Sequence, residues 1–224
     1  MAKRTTTSPD TPFAASDAAD GSRSDRTLRR QGEATRAKLL ATVPALAEIG
    51  FQGARVDDVV RLAGVSHGTF YLYFSNKEDL FRAAAQQCAE EAAHLAETLG
   101  PVSPGVEGLA ALEAWLAGFI DFYRRYGVVV RAWTENQVTD RSLARLGTRS
   151  FGRIARTLQG AMAEGSNATT RELELRSAAL LALVERFSYI VTSRDLGFDD
   201  DEVVANLAVL VHRGFFAQRS VRAA

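Results

Sequence analysis

Residues Val56 to Leu80, VDDVVRLAGVSHGTFYLYFSNKEDL, constrain this chain more than any other stretch. A glycine sits between two short, apolar-phased segments. Two helices crossing steeply need a turn of three or four residues that tolerates positive φ, and Gly64 supplies it. Ala63 keeps the crossing close. Val59, Val60 and Leu62, with Val65 and Phe70, provide a small core between the helices. Ser66 is placed as the N-cap of the second helix, which runs from about His67 to Phe74. Phe70 and Phe74, four residues apart, share the inward face. Ser75 and Glu78 form a capping-box pattern that opens a third helix. Lys77 falls in its first turn, beside N–H groups that favour an anion.

This is the layout of a helix-turn-helix DNA reader. Small and hydrogen-bonding groups at the front of the second helix suit a major groove about 12 Å wide. Gly68 allows close approach. Thr69 can bond a phosphate or touch a thymine methyl, and Ser66 lies at the same helix start. Tyr71 and Tyr73 can donate to phosphates, and His67 can reach a base edge or a phosphate. On Ala63-Gly64-Val65-Ser66, Gly68-Thr69-Phe70-Tyr71, Tyr73-Phe74, Lys77-Glu78 and Leu80, the stretch resembles the DNA-binding region of the tetracycline-repressor (TetR) family. Ala34 to Gly50 followed by Phe51 is similar to that family's first helix and its Gly-Phe ending. Many members carry Thr where this chain has Val56, and the adjacent Arg55 is the candidate to take over the phosphate contact.

The 224 residues carry 27 Lys+Arg and 27 Asp+Glu, so net charge lends nucleic-acid binding no support and any positive footprint is local. Arg23, Arg26, Arg29, Arg30, Arg36 and Lys38 form one local basic cluster, fitting either a DNA-side patch or a solvated tail. Residues 1–31, rich in Thr, Ser, Asp, Ala and Arg, read as a disordered tail able to reach a minor groove. Cys88 is the only cysteine, which excludes an intramolecular disulfide and fits a cytoplasmic location. It reads as a buried structural thiol. No apolar run reaches membrane-spanning length, and no membrane partner is expected.

The remainder reads as helices, giving an all-α fold. The expected organisation is a tail (1–31), a three-helix DNA-binding domain (32–80), a larger helical ligand-binding and dimerisation domain (81–219) and a short tail (220–224). Helix 1 is expected over about 33–49, with Pro44 inside it kinking it or weakening one hydrogen bond. Further helices are expected over about 76–98, 105–126, 127–137, 140–164, 169–194 and 200–218. Thr169 with Glu172 caps the penultimate one, and Asp199 or Asp200 caps the last.

In the larger region an aromatic set, Trp115, Phe119, Phe122, Tyr123 and Trp133 with Met162 and Phe187, fits either a plain core or an apolar small-molecule pocket. Tyr126 and Phe151 extend it. His94, Glu135, Asn136, Gln137 and Arg186 are the polar candidates. The last two helices are apolar beyond the needs of one core face. The resemblance implies that they meet their symmetry mates in a four-helix bundle, with Leu181, Val184, Phe187, Leu207, Val211 and Phe215 at the interface. It further implies a homodimeric repressor on a near-palindromic duplex operator, released by a small apolar effector. A helical ligand-binding dimer without specific DNA binding, and an activator of the same fold, are the alternatives. No phosphate loop, nucleophile elbow or metal-ligand spacing is present, so no catalytic residue, metal or cofactor is expected.

Overall fold

The structure, a computed structural model, describes residues 17–46, 49–135, 137–164, 166–194 and 196–216, with side chains from residue 29 onward. Ala47, Asn136, Gly165 and the 220–224 tail, and the side chains of Arg23, Arg26 and Phe51, lie outside that description. No strand occurs among the described residues, and the fold is all-α. The chain falls into two units, residues 1–38 and 39–224.

The first unit holds most of helix α1, Asp17–Leu40. The stretch 17–31, expected as disordered tail, is therefore helical. Its arginines, with Ala18, Ala19, Leu28 and Gln31, lose little freedom in a helix and offset the weaker helix formers Asp, Ser, Thr and Gly21. Arg29, Arg30, Arg36 and Lys38 are exposed on it. At the other end the expected helix to residue 49 stops at Leu40. A turn and a short 3-10 segment, Pro44–Leu46, follow. Pro44 has no N–H to give and its ring opposes helical geometry in the preceding turn, so the helix ends there instead of kinking. The Thr42 hydroxyl donates to the Leu39 carbonyl (2.7 Å) and closes that end.

The second unit begins with α1's last two residues, Leu39 and Leu40, both buried. A four-residue turn of helix, α2 (Gly50–Gly53), precedes α3 (Val56–Ala63) and α4 (His67–Tyr73). Helix α5 (Lys77–Thr98) leads into the long α6 (Val106–Thr134), then α7 (Arg141–Ala163), α8 (Thr170–Ser193) and α9 (Asp200–Val211). Helix α9 ends in a π turn over His212–Phe216. Helix α6 is the axis, touching α2, α5, α7, α8 and α9.

The expected break in α6 at residue 127 does not occur. Gly127 costs about 1 kcal/mol in a helix interior. The buried Val128, Val129 and Val130 just beyond it outweigh that. The caps on the last two helices fall where the sequence puts them. Glu172 N–H donates to the Thr169 hydroxyl (3.3 Å) while Thr169 N–H donates to the Glu172 carboxylate (2.7 Å). Asp199 caps α9 through the Glu202 N–H (2.8 Å). Cys88 has no exposed surface, and burial first, then the Glu91 charge, pushes its thiol well up. No described helix is long and apolar enough to cross a membrane.

Candidate nucleic-acid interface

The reader is built from its turn outward. Gly64 takes φ 59°, ψ 43°, the left-handed region where a Cβ is penalised. Its N–H closes onto the Arg61 carbonyl, and Val65 N–H reaches back to Val60 (3.1 Å). Both bonds occupy carbonyls that α3 would otherwise leave open. Arg55 N–H donates to the Asp58 carboxylate (3.1 Å) at the start of α3, and Arg61 donates to the same side chain (2.9 Å). Arg61 and then the Arg55 N–H hold the Asp58 carboxyl below its usual range. Ser66 caps α4, accepting from Thr69 N–H (3.1 Å).

Val59, Val60, Ala63, Phe70 and Phe74 are buried, and the Phe70 and Phe74 rings lie 5.9 Å apart. Leu62, expected in this core, is 43 % exposed. At 100° per residue it lies more than half a turn from Val60, on the outer side of α3. The start of α5 is also corrected. Its cap is Asn76, which accepts from Asp79 N–H (2.8 Å), while Asp79 in turn accepts from Ser75 N–H (3.1 Å). The expected Ser75–Glu78 box is thus displaced by one residue.

Of the expected DNA contacts, Arg55, Ser66, His67, Gly68 and Tyr71 are exposed and Thr69 is half-buried. The Thr69 hydroxyl shares a hydrogen bond with Ser66 (2.9 Å), which fixes its direction. His67 Nε2 meets the Asp57 carboxylate at 2.7 Å, so its ring is steadied from α3. A Cβ at Gly68 would meet nothing closer than Ser66 Oγ at 3.7 Å. The fold has room for alanine there, and glycine costs the helix about 1 kcal/mol.

Two expected contacts change character. Tyr73 is half-buried with its ring against the core, leaving Tyr71 as the tyrosine on the open face. Lys77 turns its ammonium onto the carbonyls of Gln52 and Ala54, both at 3.0 Å. It clamps α2 to α5, in place of the phosphate contact expected from its helix-start position. Sequence reasoning missed Leu72, which is 80 % exposed on α4. Its angle, about 200° from Phe70, was the available signal. Electrostatically the reader is not basic: Arg55, Arg61 and Lys77 stand against Asp57, Asp58, Glu78 and Asp79 between residues 55 and 80.

The reader rests on α6 as well as on α5. A small cavity separates Val43, Leu46, Ala54, Val59, Leu80 and Phe81 from Val128 of α6. Gln52 Nε2 donates to the Gln137 carbonyl (3.0 Å), just past α6. Beside that carbonyl lies a cleft of about 190 Å³ lined by Trp133, Thr134, Val138, Ala144, Gly147, Thr148 and Phe151. The indole N–H of Trp133 is buried with no acceptor among the described residues.

The other expected pocket residues pack among themselves. Trp115, Phe119, Phe122, Tyr123 and Met162 are buried and Phe187 half-buried. Trp115–Phe119 and Phe119–Phe122 rings sit 5.5 and 6.0 Å apart, and the Trp115 indole donates to the Leu95 carbonyl (2.9 Å). Tyr123 donates to the buried Glu185 carboxylate (3.0 Å). Burial and that negative neighbour push its phenol upward. Of the seven, only Trp133 lines the cleft.

The expected dimer residues are corrected in part. Val184 and Val211 have no exposed surface, and Leu181 and Leu207 are buried. All four serve the protein's own core, because α8 packs on α6 and α7 while α9 packs on α6. Phe187 and Phe215 are half-buried. The apolar side chains left outside are Leu175 (73 % exposed), Leu183 (37 %) and Leu210 (56 %), with Ala178, Ala179 and Ala182 between them on α8.

Residues 39–84 match the family described as bacterial regulatory proteins, tetR family. An uncharacterized HTH-type transcriptional regulator, YvdT of Bacillus subtilis, is 44 % identical over 48 residues, covering 21 % of this chain and 25 % of that protein. The fatty acid metabolism regulator protein of Bacillus subtilis is 48 % identical over 40 residues, or 18 % and 21 % of the two chains. The chain thus spans about a quarter or less of the curated relatives it matches. Over the whole fold it is similar to the TetR-like regulator LfrR of Mycobacterium smegmatis, solved with proflavine. That match has TM-score 0.60 and 20 % identity, covering 84 % of this chain and 98 % of that one. It is also similar to the fatty acid degradation regulator FadR of Bacillus halodurans, with TM-score 0.56 and 18 % identity, covering 82 % and 97 %. Helix-turn-helix and helical body together have the fold seen in TetR-like regulators. Residues 39–84 are thus similar to the tetR family of bacterial regulatory proteins, over a part of the chain.

Proposed function

We propose that the chain is a sequence-specific, DNA-binding transcriptional regulator: a homodimeric repressor of a near-palindromic operator, released by a small effector. The carrying observation is the open face of α4. Gly68 weakens that helix with no packing need, beside an oriented Thr69 hydroxyl and the exposed His67 and Tyr71. A close-approaching duplex explains such a face. The α4 front then enters the major groove, with Thr69, His67 and Leu72 toward bases and Arg55, Ser66 and Tyr71 toward phosphates.

The exposed apolar stripe of α8 and α9, including Leu175, Leu183 and Leu210, supports two-fold pairing. Paired readers would address half-sites about 34 Å or a multiple apart. The cleft at Trp133 supports an aromatic or apolar effector carrying one acceptor for the indole N–H. The relative LfrR, solved with proflavine, agrees in kind. An effector there would displace Trp133, Thr134 and Val138, and with them the Gln137 carbonyl that Gln52 of the reader holds. Coupling of about 1–3 kcal/mol would lower DNA affinity roughly 5- to 150-fold.

The near balance of charge between residues 55 and 80 favours the alternative, a ligand-binding dimer without specific DNA binding. A gel shift with excess competitor DNA separates the two. Retention of one duplex as a complex of two chains supports the regulator. Complete loss to competitor at every duplex, with effector binding retained, supports the alternative.

A further inference from the structure

Helix α7 carries Arg141, Arg145, Arg149, Arg153 and Arg156, and no carboxylate between Arg141 and Ala163. At 100° per residue the five arginines fall within about a third of its circumference. Arg153 pairs with Glu97 of α5 (3.5 Å). Among the described residues, no carboxylate is paired with Arg141, Arg145, Arg149 or Arg156. Two of these, Arg145 and Arg149, face α5 across a groove of about 260 Å³, also lined by Arg82, Gln86, Ser142, Leu143 and Leu146. The third guanidinium, Arg82, is held by Asp140 (3.2 Å) and Asp79 (3.6 Å).

Like charges crowded on one wall raise each other's energy unless an anion joins them. Arginine forks match phosphate oxygens in pairs, and Ser142 and Gln86 add neutral donors. The volume lies below the usual range for drug-sized ligands, about 300–1,000 Å³. Arg145 and Arg149 stand about 6 Å apart along the helix, with Arg82 opposite. Neighbouring anionic groups on one small molecule would engage all three.

We propose that the α5–α7 groove is a binding site for a small diphosphate, seated on Arg145 and Arg149 and reaching Arg82. Asp140 is its internal competitor, because its carboxylate occupies the guanidinium that the ligand would take. The site is separate from the Trp133 cleft and independent of DNA binding by the reader.

Calorimetric titration of the full chain with inorganic pyrophosphate at low ionic strength tests this. One saturable site per chain is expected. Arg145→Ala with Arg149→Ala should weaken it about tenfold or more. Asp140→Asn keeps a capping side chain, removes the nearer of the two carboxylates that hold Arg82 and should tighten binding. ADP distinguishes the sources. Equal or tighter binding assigns the diphosphate end of a nucleotide, and weaker binding assigns the inorganic ion; either supports the site. Absence of a saturable site overturns it. So does unchanged binding in the folded double variant, or an equal loss when the remote Arg171 and Arg194 are replaced instead.

Discussion

Lys77→Ala separates two roles that one lysine could play. Its ammonium donates to the Gln52 and Ala54 carbonyls, each at 3.0 Å, and so closes α2 against α5. A charge-assisted hydrogen bond contributes about 1.5–3 kcal/mol when well protected. The Gln52 bond is exposed and the Ala54 bond part-buried, so solvent screening brings the pair to about 2 kcal/mol. That is a large share of a typical stability of about 5–15 kcal/mol. Urea unfolding followed by circular dichroism reads it directly. With a slope near 2 kcal/mol/M, the midpoint should fall by about 1 M at unchanged slope. DNA affinity should fall at every salt concentration with the salt slope unchanged, because the loss acts through the reader's shape. A lost phosphate contact would instead lower the slope by about 0.9. An unchanged urea midpoint together with that lowered salt slope would refute the clamp.

Gly64→Ala forces a Cβ into the left-handed region at about 1–2 kcal/mol, so the thermal midpoint should drop by about 2–8 °C; no shift would deny the turn its role. Trp133→Phe keeps an aromatic ring, smaller than the indole, and removes a buried N–H that has no acceptor among the described residues. Lost packing and the relieved N–H oppose each other, so stability should change by no more than about 1 kcal/mol while effector binding weakens in a thermal-shift titration. Leu183→Glu with Leu210→Glu should convert dimer to monomer in sedimentation without unfolding; a persistent dimer would move the interface elsewhere. The Ser142 hydroxyl and N–H, then Arg82, hold the Asp140 carboxyl down at about 2. A depressed folded value means its stabilisation is complete above about 3.9 and is lost as pH falls to about 2. Asp140→Asn should therefore remove that part of the acid sensitivity from urea midpoints.

What was legible in the sequence was local. The Gly64 turn, the Ser66 cap and the boxes at Thr169 and Asp199 involve residues at most a few positions apart, so backbone rules settle them. The inward pair Phe70 and Phe74 follows from helical spacing alone. What failed depended on partners distant in the chain. Gly127 reads as a break until the burial of Val128–Val130 is counted. Lys77 reads as a phosphate contact until the Gln52 and Ala54 carbonyls arrive from more than 20 residues away. Val184 and Leu183 are adjacent and equally apolar. Only packing on α6 and α7 shows that the first faces inward and the second outward. The aromatic set is the same case. Its spacing is helical whether the rings enclose a ligand or one another, and here most of them pack together, with Trp133 alone at a cleft.

The most direct measurement is selection of the full chain's preferred duplex from a random pool, followed by its affinity relative to unrelated DNA at physiological salt. A two-fold-related motif should be bound about a thousandfold or more tighter than unrelated duplex. Replacing Thr69 or His67 by alanine should alter base preference. Failure of any motif to enrich, with residual binding that salt alone abolishes, would contradict sequence-specific recognition.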